Sequence, residues 1–301
     1  MKQRLAQNIL ELLPLSAVAL VLMGTMALLS GHAQSQEEIL GSQAPDKGGP
    51  VLTNNMPMPQ VSAKAAFAFD LATGQVLLDK NGQEPMLPAS TTKMATAMVA
   101  LEAYQPDDIL TVGKLSVPGQ NMGLIEGEKI TFLSLLYGLL VASGNDAAEV
   151  LAQNYPGGRE NFILAMNRLA QNAGFSGTHF VNPTGFDAFL HFSTAKELSF
   201  LATDALKNPL FAQIVATPEA TVTSVDGKIK HKLVSTNKLL GKTQGVLGVK
   251  TGSTANSGES VVTLIERDSH KVIISVLDSS DRFSDTEALI EWIFSNYSWD
   301  K

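Results

Sequence analysis

Cysteine is absent from the chain, and other signals of reactive sites are missing with it. A chain without cysteine has no disulfide framework, no thiol nucleophile and no cysteine-ligated zinc. The five histidines, at positions 32, 179, 191, 231 and 270, never fall into the H-E-x-x-H or H-x-H spacing of a catalytic metal site. A G-x-S-x-G nucleophile elbow does not occur either. We therefore expect no metal centre and no cofactor.

Basic residues are also fewer than acidic residues. Lysine and arginine number 22 against 29 aspartates and glutamates, and the formal net charge is -7. Nucleic acids and anionic membrane surfaces both attract clustered lysine and arginine, so neither is expected to be the main partner. Hydrophobic residues make up 45% of the 301 residues, which is enough to bury one sizeable core or two smaller ones.

The N-terminal segment predicts export. Two basic residues near the start precede an uncharged apolar stretch at 12–29, and Gly31 and Ala33 follow with the small-x-small spacing of a cleavage site. The stretch is also long enough for a bilayer core of about 30 Å. Residues 1–33 are therefore predicted to be a signal peptide or an N-terminal membrane anchor. Residues 34–60 mix Gln, Gly, Pro and Asn without a sustained period, which predicts a linker.

Residues 61–301 are predicted to form the folded domain. A hairpin is expected around Ala72-Thr73-Gly74, because apolar residues alternate on both sides of this turn signal. The hydrophobic periods predict helices at 90–104, 131–142, 145–154, 158–173, from Ser193 onward and at 285–297, and strands at 220–225, 246–252, 259–266 and 271–278. This order predicts an α+β domain in which helices cover an antiparallel sheet and a helical block is inserted between its strands.

The tetrad S-x-x-K occurs four times, at Ser90/Lys93, Ser193/Lys196, Ser235/Lys238 and Ser298/Lys301. The first copy lies at the start of a helical run, where Lys93 shares a helix face with Ser90 and the serine hydroxyl is near the positive end of the helix dipole. Burial and a second cation would lower the pKa of Lys93, so that its amine could accept the serine proton. A helix cap beside a surface lysine is the simpler interpretation of this tetrad alone.

Two further motifs favour the catalytic interpretation. Ser143-Gly144-Asn145 separates two helical segments and places a hydroxyl and an amide at a helix start. Lys250-Thr251-Gly252 ends an apolar strand and is followed by Ser253. Lysine and threonine on a strand edge can hold a substrate carboxylate, and the glycine lets a peptide approach the backbone closely. Each motif alone is an ordinary loop or strand end.

Together, in this order, the three motifs match the combination found in penicillin-binding proteins and active-site serine β-lactamases. The chain resembles the low-molecular-mass D-alanyl-D-alanine carboxypeptidases, the serine peptidase family that trims peptidoglycan stem peptides. The resemblance covers residues 63 to about 297 and is carried by AFDLATGQVLLDKN, PASTTKMATAMVALE, LLVASGNDAAEVLA, FVNPTGF, STAKELS, STNKLL, GVLGVKTGSTANSG and RFSDTEALIEWIF. It implies the β-lactamase/transpeptidase-like fold for the domain, with peptidoglycan stem peptides as substrates and β-lactam antibiotics as inhibitors.

The resemblance also implies roles for the catalytic side chains. Ser90 would attack the carbonyl between the two terminal D-alanines, and Lys93 would be its base. Ser143 would relay a proton to the departing amine, and water would then release the acyl group from the serine. The backbone N–H groups of Ser90 and Ser253 would form the oxyanion hole. None of these steps needs a metal or cofactor.

The remaining motif residues would bind the substrate. Asn145 would orient Lys93 and the substrate amide, Lys250 and Thr251 would hold the terminal carboxylate, and Gly252 would leave room for the peptide. Some relatives use an arginine upstream of the strand for the carboxylate, and Lys232 is the candidate for that position here. The small β-domain and C-terminal anchor of many relatives are not expected, which leaves the N-terminal segment as the expected membrane tether.

Three alternative functions are to be distinguished from a carboxypeptidase. A class A β-lactamase would need a glutamate in an E-x-x-L-N arrangement, which does not occur between the second and third motifs, since Glu160 directly precedes Asn161. An endopeptidase that cuts the D-alanyl cross-link would use the same motifs, so the sequence hardly separates it from a carboxypeptidase. A non-catalytic muropeptide sensor would have lost a motif residue. The pair Ser193/Lys196 and the triplet Ser235-Thr236-Asn237 fall on stretches, STAKELS and STNKLL, that are structural in the family.

Overall fold

The computed structural model describes residues 49–299. The predicted signal peptide or anchor at 1–33 lies outside the described residues, as does the first part of the predicted linker. Within 49–299, none of the helices has the length and apolar character that crossing a bilayer requires.

Eleven strands and seven α-helices make up the described chain. The strands are β1 (Val51–Leu52), β2 (Ala65–Asp70), β3 (Val76–Lys80), β4 (Ile109–Thr111), β5 (Lys129–Thr131), β6 (Glu219–Thr223), β7 (Lys230–Val234), β8 (Val246–Thr254), β9 (Gly258–Arg267), β10 (His270–Ser279) and β11 (Tyr297–Ser298). The helices are α1 (Lys93–Ala103), α2 (Phe132–Leu140), α3 (Asn145–Asn154), α4 (Gly158–Asn172), α5 (Ala195–Ala205), α6 (Pro209–Val215) and α7 (Arg282–Asn296).

Five strands form the main antiparallel sheet in the order β3-β2-β10-β9-β8. Both central residues of the tight turn between β9 and β10, Asp268 and Ser269, have positive φ, as a primed hairpin turn requires. Strand β8 lies at one end of the sheet. Its outer edge therefore faces the helical part of the domain instead of another strand of this sheet.

Helices cover both faces of this sheet, which explains why its central strands are apolar on both sides. Alternate residues of β10 enter different cores: Ile273 packs with helices α1 and α5, whereas Ile274 packs with helix α7. A buried 2.6 Å contact between the hydroxyls of Ser199 and Ser275 also joins α5 to β10. The predicted α+β architecture, with a helical block between the two halves of the sheet, is confirmed.

Helix α6 and the hairpin β4–β5 were not predicted. Helix α6 has only seven residues, which is too short for a clear hydrophobic period. Its start signal was nevertheless present, because Pro209 occupies the first turn and the Asn208 side chain accepts hydrogen bonds from the N–H groups of Leu210 and Phe211.

The described part of the predicted linker packs against the domain. Strand β1 pairs with β11, and the side-chain oxygen of Asn296 accepts a hydrogen bond of 2.8 Å from Met56 N. Met58 and Val61 pack against the same core as α7. The irregular composition of this segment conceals its backbone pairing with residues 296–298.

Asp285 ties this N-terminal segment to helix α7. Its carboxylate accepts hydrogen bonds from Ser62 N, Ser62 Oγ, Ala63 N and Ser279 Oγ at 2.7 to 3.0 Å. We expect Asp285→Ala to lower the free energy of unfolding by about 2 to 3 kcal/mol, because it leaves buried donors without an acceptor. Urea denaturation measures this change. The exposed control Asp107→Ala should change it by less than about 0.5 kcal/mol, and equal losses in the two variants would refute the expectation.

Candidate active site

The candidate site begins at the short 3-10 turn Ala89–Thr92, which leads directly into helix α1. Ala89 has a φ of 48°, and this left-handed residue redirects the chain before Ser90. Two glycines from other segments approach the turn. A Cβ added to Gly252 would lie 2.7 Å from Ser90 N, and one added to Gly185 would overlap Ala89 O. Both positions therefore require glycine, and the edge of β8 lies directly beside the serine.

Lys93 is fully buried and its amine has three oxygen partners. Its Nζ lies 2.8 Å from Ser90 Oγ, 2.7 Å from Asn145 Oδ1 and 2.7 Å from the carbonyl oxygen of Thr184. Burial is the main cause that holds the pKa of Lys93 well below its usual range, and the positive charge of Lys250 is the second cause. Nearby carboxylates oppose this effect. The amine is therefore neutral over a pH range in which an exposed lysine is charged.

The Ser143-Gly144-Asn145 turn faces this lysine from the other side of the cleft. Ser143 has a φ of 58°, which directs its hydroxyl to within 2.9 Å of Lys250 Nζ. The Asn145 Nδ2 group donates to Pro118 O at 2.9 Å, so its Oδ1 must be the atom that faces Lys93. Asp146 accepts hydrogen bonds from the N–H groups of residues 122–124 and thereby holds the neighbouring loop.

Strand β8 supplies the third wall of the site. Burial and, to a smaller extent, the charge of Arg282 lower the pKa of Lys250 to about 7. The hydroxyls of Thr251 and Thr236 are 2.6 Å apart. Arg282 Nη1 donates a hydrogen bond of 2.9 Å to Gly252 O. A lysine, two hydroxyls and a guanidinium thus surround one end of the cleft, where they can attract an anion.

The structure brings most of the predicted site residues together, but not Lys232. Ser90, Lys93, Ser143, Asn145, Lys250, Thr251 and Gly252 share the cleft, and Ser253 follows them on the exposed part of β8. Lys232 lies on the exposed side of strand β7 and has no hydrogen bond or ion pair with the site residues within 49–299. Its neighbour His231 is buried against Glu128, 2.8 Å away, so it is not available either.

The other S-x-x-K copies do not form such pairs. Ser193 bridges to Met86 by backbone hydrogen bonds, while Lys196 lies over the Phe67 ring. Lys238 lies over the Phe283 ring. The fourth copy ends at a lysine outside the described residues. Of the three copies that lie wholly within residues 49–299, the Ser90/Lys93 copy has its hydroxyl and amine in contact.

Three residues of the site were missed by sequence reasoning. The Thr184 carbonyl accepts from Lys93, but a backbone group leaves no signal in the sequence. Thr236 was assigned to a structural loop, yet its hydroxyl contacts Thr251. Arg282 was expected only as part of the closing segment RFSDTEALIEWIF, far from the motifs in the sequence. Sequence spacing gives no sign of its proximity to β8, because the contact joins Arg282 to Gly252, 30 positions earlier in the chain.

This fold, with the three motifs assembled around one cleft, is typical of penicillin-binding proteins and active-site serine β-lactamases. The family model for D-alanyl-D-alanine carboxypeptidases, Peptidase_S11, matches residues 52–281. The chain belongs to this family, as the resemblance of its motifs had indicated.

Individual relatives agree with this assignment. The chain is 32% identical over 245 residues to the D-alanyl-D-alanine carboxypeptidase DacF of Bacillus subtilis, covering 78% of this chain but only 63% of the relative. It is 34% identical over 249 residues to a D-alanyl-D-alanine endopeptidase of Pseudomonas aeruginosa, covering 79% of each. The crystal structure of the Streptomyces K15 DD-transpeptidase matches with a TM-score of 0.75 and 32% identity, covering 80% of this chain and 100% of that one.

His191 supports the turn that carries the serine. Its Nδ1 accepts a hydrogen bond of 3.0 Å from Val181 N, so in the neutral ring the Nε2–H faces Thr92 Oγ1, 2.9 Å away. Burial, followed by the charge of His179, lowers the pKa of His191 to about 4. An unfolded histidine has a pKa of about 6.5, so between these values the unfolded chain binds the extra proton.

We therefore expect the folded state to lose up to about 3 kcal/mol of stability through this one group as the pH falls from about 6.5 to 4. Denaturation curves at several pH values in this window measure the effect. His191→Gln should have a weaker pH dependence than the wild type, whereas His270→Gln, at the β9–β10 turn, should retain the wild-type dependence. An unchanged dependence in His191→Gln would contradict the expectation.

Proposed function

We propose that this protein is a serine-type D-alanyl-D-alanine carboxypeptidase that removes the terminal D-alanine from peptidoglycan pentapeptide stems. The observation that carries the proposal is the set of oxygens around the Lys93 amine. A neutral amine has two hydrogens and one lone pair. Asn145 Oδ1 and the Thr184 carbonyl can only accept, and they take the two hydrogens. The lone pair is then left for the Ser90 hydroxyl, 2.8 Å away.

The first half of the reaction follows from this arrangement. Ser90 Oγ attacks the carbonyl carbon between the two D-alanines while its proton passes to Lys93 Nζ. The N–H groups of Ser90 and Ser253 receive the negative charge on the carbonyl oxygen, at about 3 kcal/mol per donor. Ser143 Oγ, which is 2.9 Å from Lys250 Nζ, relays the proton held by Lys93 to the departing amine, so that D-alanine leaves and Lys93 is neutral again. Water then attacks the ester on Ser90 and releases the shortened stem.

The anion-attracting end of the cleft takes the terminal carboxylate. Lys250 supplies positive charge and Thr251 a hydroxyl, with Thr236 beside it. Arg282 adds a second positive charge and, through its hydrogen bond to Gly252 O, fixes the strand next to the serine. We assign to Arg282 the attraction of the carboxylate that was expected of Lys232, and no part in proton transfer.

The same serine is proposed to be acylated by penicillins, whose β-lactam carbonyl and carboxylate would occupy the two ends of the cleft. The substrate lies in the cell wall, so we place the protein on the extracytoplasmic side of the envelope. Residues 1–33 would direct its export and, if retained, tether it to the membrane.

A DD-endopeptidase acting on the cross-link is the second candidate, and it is favoured by the similarity to the Pseudomonas aeruginosa endopeptidase. The other two alternatives have less support. Glu160, which a β-lactamase interpretation would need in the cleft, is exposed on helix α4 beside Arg159. A sensor would not be expected to keep Lys93 in contact with Ser90, or Lys250 in contact with Ser143.

Mass spectrometry of muropeptides tests the proposal. Purified protein is incubated with a pentapeptide muropeptide and, separately, with its cross-linked dimer. We expect the pentapeptide to lose one alanine, and Ser90→Ala to abolish this loss because the acyl-enzyme cannot form. Cleavage of the dimer alone would make the protein an endopeptidase. If neither compound reacted, the peptidase proposal would fail and the sensor interpretation would become the first choice.

The lowered pKa of Lys250 predicts a pH dependence. Its amine loses the proton as the pH rises through about 7, so the charge that attracts the carboxylate is present below this pH and is lost above it. We expect kcat/KM for an acyl-D-alanyl-D-alanine peptide to fall about tenfold between pH 7 and 9. The same peptide with a C-terminal amide lacks the carboxylate and serves as the control. Parallel pH profiles for the two peptides would refute this role of Lys250.

A further inference from the structure

The outer edge of strand β8 fixes the direction in which a stem peptide can lie. In the proposed function the terminal carboxylate binds near Lys250 and Thr251, and the scissile carbonyl lies beside Gly252 and Ser90. An extended peptide can pair antiparallel with the strand edge. Its C-terminal end then lies beside Thr251, and its preceding residues follow in order toward Thr254. The rest of the stem is therefore directed toward the turn that follows Thr254.

Distances along the strand identify which stem residue reaches this turn. Successive residues of paired strands advance by about 3.3 Å, so the third residue from the C-terminus lies about 7 Å beyond the terminal one, alongside Ser253. Its side chain then extends toward Thr254 and Asn256. In peptidoglycan this residue is a diamino acid, such as diaminopimelate or lysine, whose side chain ends in an ammonium group.

A carboxylate lies at this place. Asp187, on the loop that follows Gly185, accepts a hydrogen bond of 2.6 Å from Thr254 Oγ1 on one oxygen. Its other oxygen accepts 3.0 Å and 3.4 Å hydrogen bonds from the side chain and backbone of Asn256. All of these donors are neutral, and Asp187 forms no ion pair with a lysine, arginine or histidine of residues 49–299.

The carboxylate of Asp187 is thus oriented but not neutralised. A carboxylate has about four lone-pair positions, and the strong hydrogen bonds from Thr254 and Asn256 use two of them. The residue is half-buried, and Asn256 beside it is exposed, so a substrate cation can reach it from the solvent side of the cleft. The distant Lys250 and Arg282 serve the other end of the peptide.

We propose that Asp187 and the Thr254–Asn256 turn form a subsite for the side-chain ammonium group of the third stem residue. The proposal rests on the function proposed above, because the direction of the peptide follows from the position of its terminal carboxylate. The subsite makes the enzyme prefer stems whose third residue has a free amino group over stems in which that group is acylated, as it is in a cross-link.

Two synthetic peptides test the subsite. Nα-acetyl-L-lysyl-D-alanyl-D-alanine has a free side-chain ammonium, and its Nε-acetylated form does not. For the wild type we expect kcat/KM to be about three- to fivefold higher for the free ammonium, as for a partly exposed ion pair. Asp187→Asn keeps an oxygen for Thr254 and removes the charge, so the ratio should fall to about one.

Asp107→Asn is the matched control. It removes one negative charge from an exposed turn beyond the C-terminal end of α1 and should keep the wild-type ratio. A third peptide, with L-glutamate in place of lysine, should be a poor substrate of the wild type and improve relative to the lysine peptide in Asp187→Asn. Added salt should reduce the wild-type preference.

Two outcomes would overturn the proposal: a wild-type ratio of one or less, or an Asp187→Asn variant that loses activity equally on both lysine peptides. The second outcome would mean that Asp187 only stabilises the turn. If the wild type hydrolyses neither peptide, the peptidase proposal fails. The subsite is then tested by calorimetry, which measures the affinity of Ser90→Ala for each of the two peptides. Tighter binding of the free ammonium would support it, and equal affinity or no binding would overturn it.

Discussion

The structure depends on keeping one amine uncharged in a closed environment. Lys93 is surrounded by three oxygens and packed so tightly that it has no contact with solvent. A charged lysine would lose several kcal/mol of solvation at such a position, so the neutral form is favoured before any substrate arrives. The cation of Lys250 adds to this effect. The fold thus creates a base from a residue type that is ordinarily a cation.

Several local features follow from this requirement. Asn145 must face Lys93 with its oxygen, and the Pro118 carbonyl fixes that orientation. The glycines at 185 and 252 allow two backbone segments to close over the serine turn, which excludes water from the lysine. The buried amines of Lys93 and Lys250 are tolerated here because each has oxygen partners. The site is therefore built from two hydrogen-bonded groups, one around Lys93 and one around Lys250.

Sequence reasoning found the parts of the site that are contiguous in the chain. S-x-x-K, S-x-N and K-T-G each place reactive groups within one turn or one strand, and their occurrence together in this order pointed to Ser90, Ser143 and Lys250. Sequence reasoning failed where the partner of a site residue is distant in the chain or is a backbone group. Arg282 reaches β8 from the C-terminal helix, and the irregular segment before residue 61 is held by Asn296. The long helices and central strands were predictable because their periods are sustained, whereas α6 was too short.

The insertion of the helical block between strands of the sheet has a consequence for when the protein becomes reactive. The contact between Ser143 and Lys250 joins positions 107 residues apart, and that between Lys93 and Asn145 joins positions 52 apart. Before these segments meet, Lys93 is solvated and protonated like any exposed lysine. Long-range contacts of this kind form late and cooperatively. Ser90 is consequently unreactive in an incompletely folded chain, and its reactivity indicates that the tertiary structure is complete.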